Sequence, residues 1–236
     1  MWEIREVIKT LPIIGPLAQC VYKRWVNPPP PFCGSEKYWV GRYASGGNSG
    51  SGSYSELSEF KAEIINGFVA EHGIATVIEY GCGDGNQLRL AKYPMYLGYD
   101  VSPDAVTLCR RIFGDDKTKS FKLMKDYASE RAQLALSLDV IFHLVEDHVY
   151  VSYMERLFNS VSSYVIIYSS DQDPRPDDKA DHVKHRKFTD WIKSNGPEWI
   201  LHRYIPNRYP FIGDEEKESF SNFYIYKKVT INNFAA

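Results

Sequence analysis

Cysteine is scarce and long apolar runs are absent. The four cysteines, Cys20, Cys33, Cys82 and Cys109, show no zinc-type pair spacing, so they read as reduced thiols rather than a disulfide scaffold or a structural metal site. No apolar stretch reaches the ~18 residues that suggest a membrane-spanning helix. The start of the chain is too short and too interrupted for a secretory signal. No internal repeat is evident. Neither sign of charge dominates: the formal net charge is −2 and no dense basic stripe occurs. That balance speaks against a nucleic-acid partner. The expected location is the cytoplasm, with no metal.

What remains is an ordinary globular composition, 44% apolar and 25% charged. The length of 236 residues suits one α/β domain with additions. Residues 1–31 stand apart. Trp2, Ile4, Val7, Ile8 and Leu11 recur at helical spacing, Pro12 and Pro16 interrupt, and Arg5, Lys9, Lys23 and Arg24 flank the apolar residues. Residues 1–27 read either as an amphipathic segment touching an anionic inner-membrane face or as a helix packed on the domain or on a second subunit. Pro28 to Pro31 form a stiff linker. The main domain is expected over 32–236, with a lid-like glycine–serine loop in 38–54.

Around residue 80 the sequence VIEYGCGDG (77–85) turns an apolar run into glycines at alternate positions. Glycine tolerates positive φ and lets backbone amides approach a ligand. A strand, a glycine turn and a helix starting near Asn86 would make the nucleotide-binding corner of a doubly wound sheet. Upstream, Ser53-x-x-Glu56 resembles a capping box, and Leu57, Phe60, Ile64, Ile65 and Phe68 mark a helix to about residue 71. Downstream, strands are expected over 96–101, 119–124, 134–142, 164–168, 199–204 and 220–227. Ser102-Pro103 and Glu146-Asp147 open helices, and 182–192 becomes helical by its end.

Three motifs in order, VIEYGCGDG (77–85), GYDVS (98–102) and LALSLDVIFHLVED (134–147), resemble the class I S-adenosylmethionine-dependent methyltransferases. The resemblance covers roughly residues 55–230. It implies a Rossmann-like, seven-stranded, mostly parallel sheet with helices on both faces and an N-terminal helical or lid extension. A nicotinamide site fits less well, because Asn86 replaces the last glycine of G-x-G-x-x-G and Asp100 follows sooner than the ~20 residues usual there.

The resemblance implies S-adenosyl-L-methionine as cofactor. Gly81, Cys82 and Gly83 would border its methionine part, with Glu79 organising the loop. Asp100, followed by Val101, would hold the ribose. Asp126 and Tyr127 would lie at the adenine, and Leu138 and Asp139 near the sulfonium. Tyr38 and Arg42 are candidates for the cofactor carboxylate.

On the acceptor side, a hydroxyl needs a base to lose its proton. His143 is the first candidate and Asp171 the second; helix- or loop-capping roles compete with both. His182, His185 and Arg186 form a candidate acceptor-binding cluster, with a solvated basic face as the plain alternative. The leading expectation is O-methylation of a small-molecule or glycan acceptor. The leader-like residues 1–27, which resemble those of bacterial enzymes acting on lipid-linked sugars, favour the glycan. A non-catalytic domain that binds the cofactor or a partner is the alternative. No Asn-Pro-Pro-Tyr-type motif follows the fourth strand, which again speaks against a nucleic-acid acceptor.

Overall fold

The structure is a computed structural model and describes residues 32–174, 180–214 and 216–229. The calls on residues 1–31 lie outside the described residues. From Ser35 the elements run α1 (Ser35–Ala44), α2 (Ser55–Glu71), β1 (Thr76–Tyr80), β2 (Met95–Asp100), α3 (Pro103–Ile112), β3 (Lys119–Leu123), β4 (Ala132–Leu138), α4 (Asp147–Asn159), β5 (Val161–Ser169), α5 (Phe188–Asn195), β6 (Trp199–Ile205) and β7 (Asn222–Lys228).

The strands form one seven-stranded sheet in the order β3-β2-β1-β4-β5-β7-β6. Pairings among β1 to β5 are parallel, while β7 runs antiparallel to both β5 and β6. The expected Rossmann-like, mostly parallel sheet is therefore observed.

Alternation along each strand feeds two cores. Val77, Leu134, Leu136, Ile166 and Phe223 pack with Phe60, Ile65 and Phe68 of α2 and Val106 of α3. Ile78, Ala135, Val165, Ile167 and Tyr226 pack with Met154 and Leu157 of α4 and Ile192 of α5. Helices thus cover both faces. The order of successive strands reverses at β1, which pairs in parallel with both β2 and β4. The crevice beyond the C-terminal ends of β1 and β4 is where such a sheet holds its ligands.

Several local expectations are corrected. Gln87–Leu90 is a short 3-10 turn, not a longer helix; Pro94 and the start of β2 at Met95 leave no room for further turns. The fourth strand stops at Leu138 because Asp139 takes φ +57°. Ser53 caps nothing: α2 begins after Tyr54, with no side-chain cap. The first part of the expected loop, through Ala44, is helix α1. Ser102 caps α3 as read, accepting from Ala105 N–H at 3.3 Å.

One tie was not anticipated. Lys61 lies on the buried face of α2 at 1% exposure and donates to Asp139 Oδ2 at 2.8 Å. Asp139 Oδ1 accepts from Ser221 Oγ at 2.8 Å. The turn after β4 is thereby bound to α2 and to the chain entering β7. Removing the buried Lys61 leaves the half-buried Asp139 without its counter-charge. Lys61→Met is therefore expected to lower unfolding free energy by about 3 kcal/mol in urea melts, and Lys61→Met/Asp139→Asn to recover most of that loss. Equal losses in the single and double variants would show that the ion pair is not what holds the turn.

Candidate active site

The corner after β1 is shaped by backbone geometry. Gly81 and Gly83 both take positive φ, +91° and +57°. A Cβ on Gly81 would lie 2.5 Å from a Val140 methyl, and one on Gly83 would meet Ser49 Oγ and Tyr43 Oη. Only glycine fits either position. The N–H groups of Gly81 and Cys82 both donate to Tyr99 O, at 2.7 and 2.9 Å, which folds the corner onto the end of β2.

Asp100 completes that fold. Its Oδ2 accepts from Gly83 N–H and its Oδ1 from Ser102 N–H, both at 2.9 Å. Burial raises the Asp100 pKa, and these amides oppose the shift. Glu79 is buried behind the corner and accepts from Tyr96 Oη at 2.6 Å. Burial pushes its pKa up to about 7, against the pull of Tyr96 and Lys61. Cys109 Sγ donates to Gly83 O at 3.3 Å. Contact with Cys109 and burial push the Cys82 thiol up, so it is not a reactive thiolate.

The expected adenine end divides. Asp126 is exposed on the short turn after β3. The Tyr127 ring packs edge-on to Tyr80 and Tyr99, with the Arg156 guanidinium 5.0 Å from its centroid. Val101 is half-buried next to Asp100, and Leu138 is buried at the end of β4. Both Asp139 oxygens are engaged by Lys61 and Ser221.

Four expected residues come together between α1 and the turn after β4. Tyr38 stacks on His182 (4.3 Å, 12°), and His182 lies parallel to His143 (5.4 Å, 9°). Trp39 meets His143 edge-on at 4.9 Å. Arg42 donates to Asn48 O at 2.6 Å and to Asn48 Oδ1 at 3.3 Å, and reaches Tyr38 Oη at 3.5 Å. It therefore fastens the 45–54 loop.

The other three take separate positions. His185 Nδ1 shares a 2.6 Å hydrogen bond with Ser170 Oγ beyond β5. Arg186 donates to Val145 O and Asp147 Oδ1 and covers Tyr150. Asp171 accepts from both Thr189 N–H and Thr189 Oγ1 at the start of α5. Among the described residues no group of three or more His, Cys, Asp or Glu side chains could hold a metal ion, and no helix is long and apolar enough to cross a membrane.

Sequence reading passed over Ser49, Lys61 and Asp84, all of which border this crevice or its supports. One signal was available: Lys61 is a lysine on an otherwise apolar helix stripe. Asp84 sits between two glycines that drew attention to themselves.

His143 Nδ1 lies 3.1 Å from His182 O. A carbonyl only accepts, so Nδ1 carries the proton and Nε2 holds the lone pair. Desolvation holds the imidazole pKa down to about 4, from 6.5. The unfolded chain takes a proton below pH 6.5 that the folded chain refuses until about pH 4. This group's contribution is thus present above 6.5 and lost as pH falls through that window. Glu79 has the opposite sign, because its raised pKa removes stability as pH rises from 4.5 through about 7. A comparison with His143→Gln isolates the histidine. From pH 6.5 to 4 the variant should gain up to about 3 kcal/mol relative to wild type in denaturant melts. A difference that stays constant across this range would mean that His143 titrates normally.

No family model matches this sequence, and no curated protein matches it. Solved structures do resemble the fold. The N-methyltransferase NodS of Bradyrhizobium japonicum aligns with TM-score 0.63 and 11% identity over 83% of this chain and 98% of that one. Magnesium protoporphyrin IX methyltransferase of Synechocystis aligns with TM-score 0.60 and 12% identity over 85% and 100%. The small RNA methyltransferase HEN1 aligns with TM-score 0.57 and 16% identity over 75% of this chain and 26% of that one. This last likeness overturns the exclusion of nucleic acid drawn from net charge. Bulk charge averages over the whole surface and does not report the lining of one crevice. At such identities the likeness is one of architecture, and on it the chain has the Rossmann-like fold of the class I methyltransferases.

Proposed function

We propose that this chain is an S-adenosylmethionine-dependent methyltransferase. The observation that carries the reading is the corner itself. Two glycines that admit no Cβ and a buried strand-end carboxylate meet at the switch point of the sheet. That donor set fits a nucleoside carrying an amino-acid tail. A Cβ-free surface allows close approach, and Asp100 can accept from ribose hydroxyls beside the two amides it already binds.

When bound, the cofactor supplies a methyl group on a positive sulfonium. The remaining tasks fall to the protein. Asp100 and Val101 hold the ribose, Gly81 to Gly83 border the amino-acid tail, and Asp126 with Tyr127 serves the adenine end. Glu79 supports the loop from beneath. Lys61 keeps Asp139 neutralised at the end of β4 and fixes the turn that carries His143.

His143 faces the acceptor side as a neutral ring. With Nδ1–H committed to His182 O, Nε2 is an acceptor that orients an incoming O–H or N–H. Its depressed pKa makes it a weak proton store. Asp171 is held by Thr189 and serves as the second choice of base. Tyr38, Trp39 and His182 wall the same side. His185 and Arg186 lie farther along the chain that follows β5 and support this wall. The acceptor we favour is a hydroxyl on a small molecule or saccharide. Because HEN1 is a small RNA methyltransferase, small RNAs belong in the same acceptor screen.

Calorimetric titration with S-adenosylmethionine tests the cofactor assignment. Wild type should bind, and Asp100→Asn should bind about tenfold or more weakly, from the loss of one charge-assisted hydrogen bond. No binding by wild type would overturn the assignment. Release of S-adenosylhomocysteine during an acceptor screen then separates an enzyme from a non-catalytic binding domain; binding without any turnover favours the latter.

A further inference from the structure

Residues 45–54, SGGNSGSGSY, have the composition of a flexible linker. In the structure they are fastened at several points. Asp84, between the second and third glycines of the corner, is buried, and its carboxylate accepts three donors. Oδ2 takes Ser49 N–H at 2.9 Å and Tyr54 Oη at 2.8 Å, and Oδ1 takes Asn86 N–H at 3.0 Å. The bond is returned: Asp84 N–H donates to Ser49 Oγ at 3.0 Å. Ser49 Oγ also shares a 2.9 Å hydrogen bond with Tyr43 Oη. Asn86 Nδ2 adds a bond to Ser53 O at 2.7 Å.

These bonds have a direction. Two donors to Asp84 come from the loop, across at least 30 residues of sequence, and one comes from the turn that Asp84 itself belongs to. An acid needed only to shape a glycine turn would require the Asn86 amide and nothing else. The loop tip at 45–48 is exposed, whereas Ser49 and Gly50 are half-buried. The segment is therefore held against the corner at Ser49, while its exposed tip is tied back to α1 by Arg42 through Asn48. Ser49 and Tyr43 stand against Gly83, the position where a Cβ is excluded.

We propose that Asp84 is a positioning residue that latches the 45–54 loop over the glycine corner, so that the loop walls the cofactor site and sets the rate at which its occupant leaves. The inference rests on the cofactor reading above for the identity of that occupant. Ser49 and Tyr43 become lining residues of the site, and Tyr54 is the second fastening point. Burial, with Asp84 as the next cause, pushes the Tyr54 pKa up to about 12, so the phenol remains a donor at neutral pH.

Two readouts test the latch. The first is amide hydrogen exchange of residues 48–54 in the unliganded protein. The second is the dissociation rate of S-adenosylhomocysteine in stopped flow. Asp84→Asn should speed both by about tenfold, because it removes a charge-assisted acceptor. Tyr54→Phe should speed both by about threefold, through loss of one hydroxyl donor. Tyr54→Phe leaves the turn bond to Asn86 in place, so it remains informative if Asp84→Asn misfolds. Loop exchange unchanged in both variants, or a dissociation rate unchanged in Tyr54→Phe, overturns the latch. If wild type binds no S-adenosylhomocysteine, the cofactor reading fails, while the exchange arm still decides whether Asp84 closes the loop.

Discussion

The structure of the site depends on one carboxylate bridging two amides. Asp100 accepts from Gly83 N–H on one side and from Ser102 N–H on the other. The first bond fixes the glycine corner and the second fixes the start of α3. Without them, two stretches of chain at the end of β2 would have unsatisfied buried amides and no common anchor. Burying a carboxylate is costly, and the raised pKa of Asp100 records that cost. Two charge-assisted hydrogen bonds offset part of it. The price of the arrangement is tolerated at a place where the chain needs an acceptor facing a ligand.

Around that carboxylate the supports are layered. Tyr99 O takes two amides of the corner. Asp139, at the end of β4, is held in a positive-φ conformation by Lys61 and Ser221. Positive φ at a residue other than glycine persists only where its surroundings over-determine it. Here the surroundings are an ion pair to α2 and a hydroxyl from the strand entrance of β7. The two sides of the crevice, after β1 and after β4, are thus each fixed by an acid, Asp100 buried and Asp139 half-buried. Asp84 adds a third, which reaches outward to the loop instead of inward to the sheet.

What was legible in the sequence was local or strictly periodic. The glycine corner, the Ser102 cap, the α2 stripe and the apolar runs of β1, β4 and β5 each depend on residues a few positions apart, so these elements could be placed along the chain. The Lys61–Asp139 pair joins residues 78 positions apart, and nothing local marks Lys61 except its wrong polarity for its stripe. The 45–54 loop reads as a linker because glycine and serine leave no pattern; its order comes from Asp84 and Arg42, outside it. The histidine cluster was half legible. His143 and His182 meet, but His185 turns to Ser170, because a loop between β5 and α5 can send side chains two or three apart in different directions. Net charge misled for a different reason, since it describes the whole surface and not the crevice.

The central claim is that the corner at Asp100 is a cofactor site under the 45–54 loop. A crystal structure of the chain grown with S-adenosylhomocysteine tests this most directly. The account predicts ligand density between Gly81–Gly83 and the loop, with ribose hydroxyls within hydrogen-bond distance of Asp100 and Ser49 beside the ligand. Density elsewhere, or a ligand bound with Asp100 contacting only the Gly83 and Ser102 amides, would contradict it.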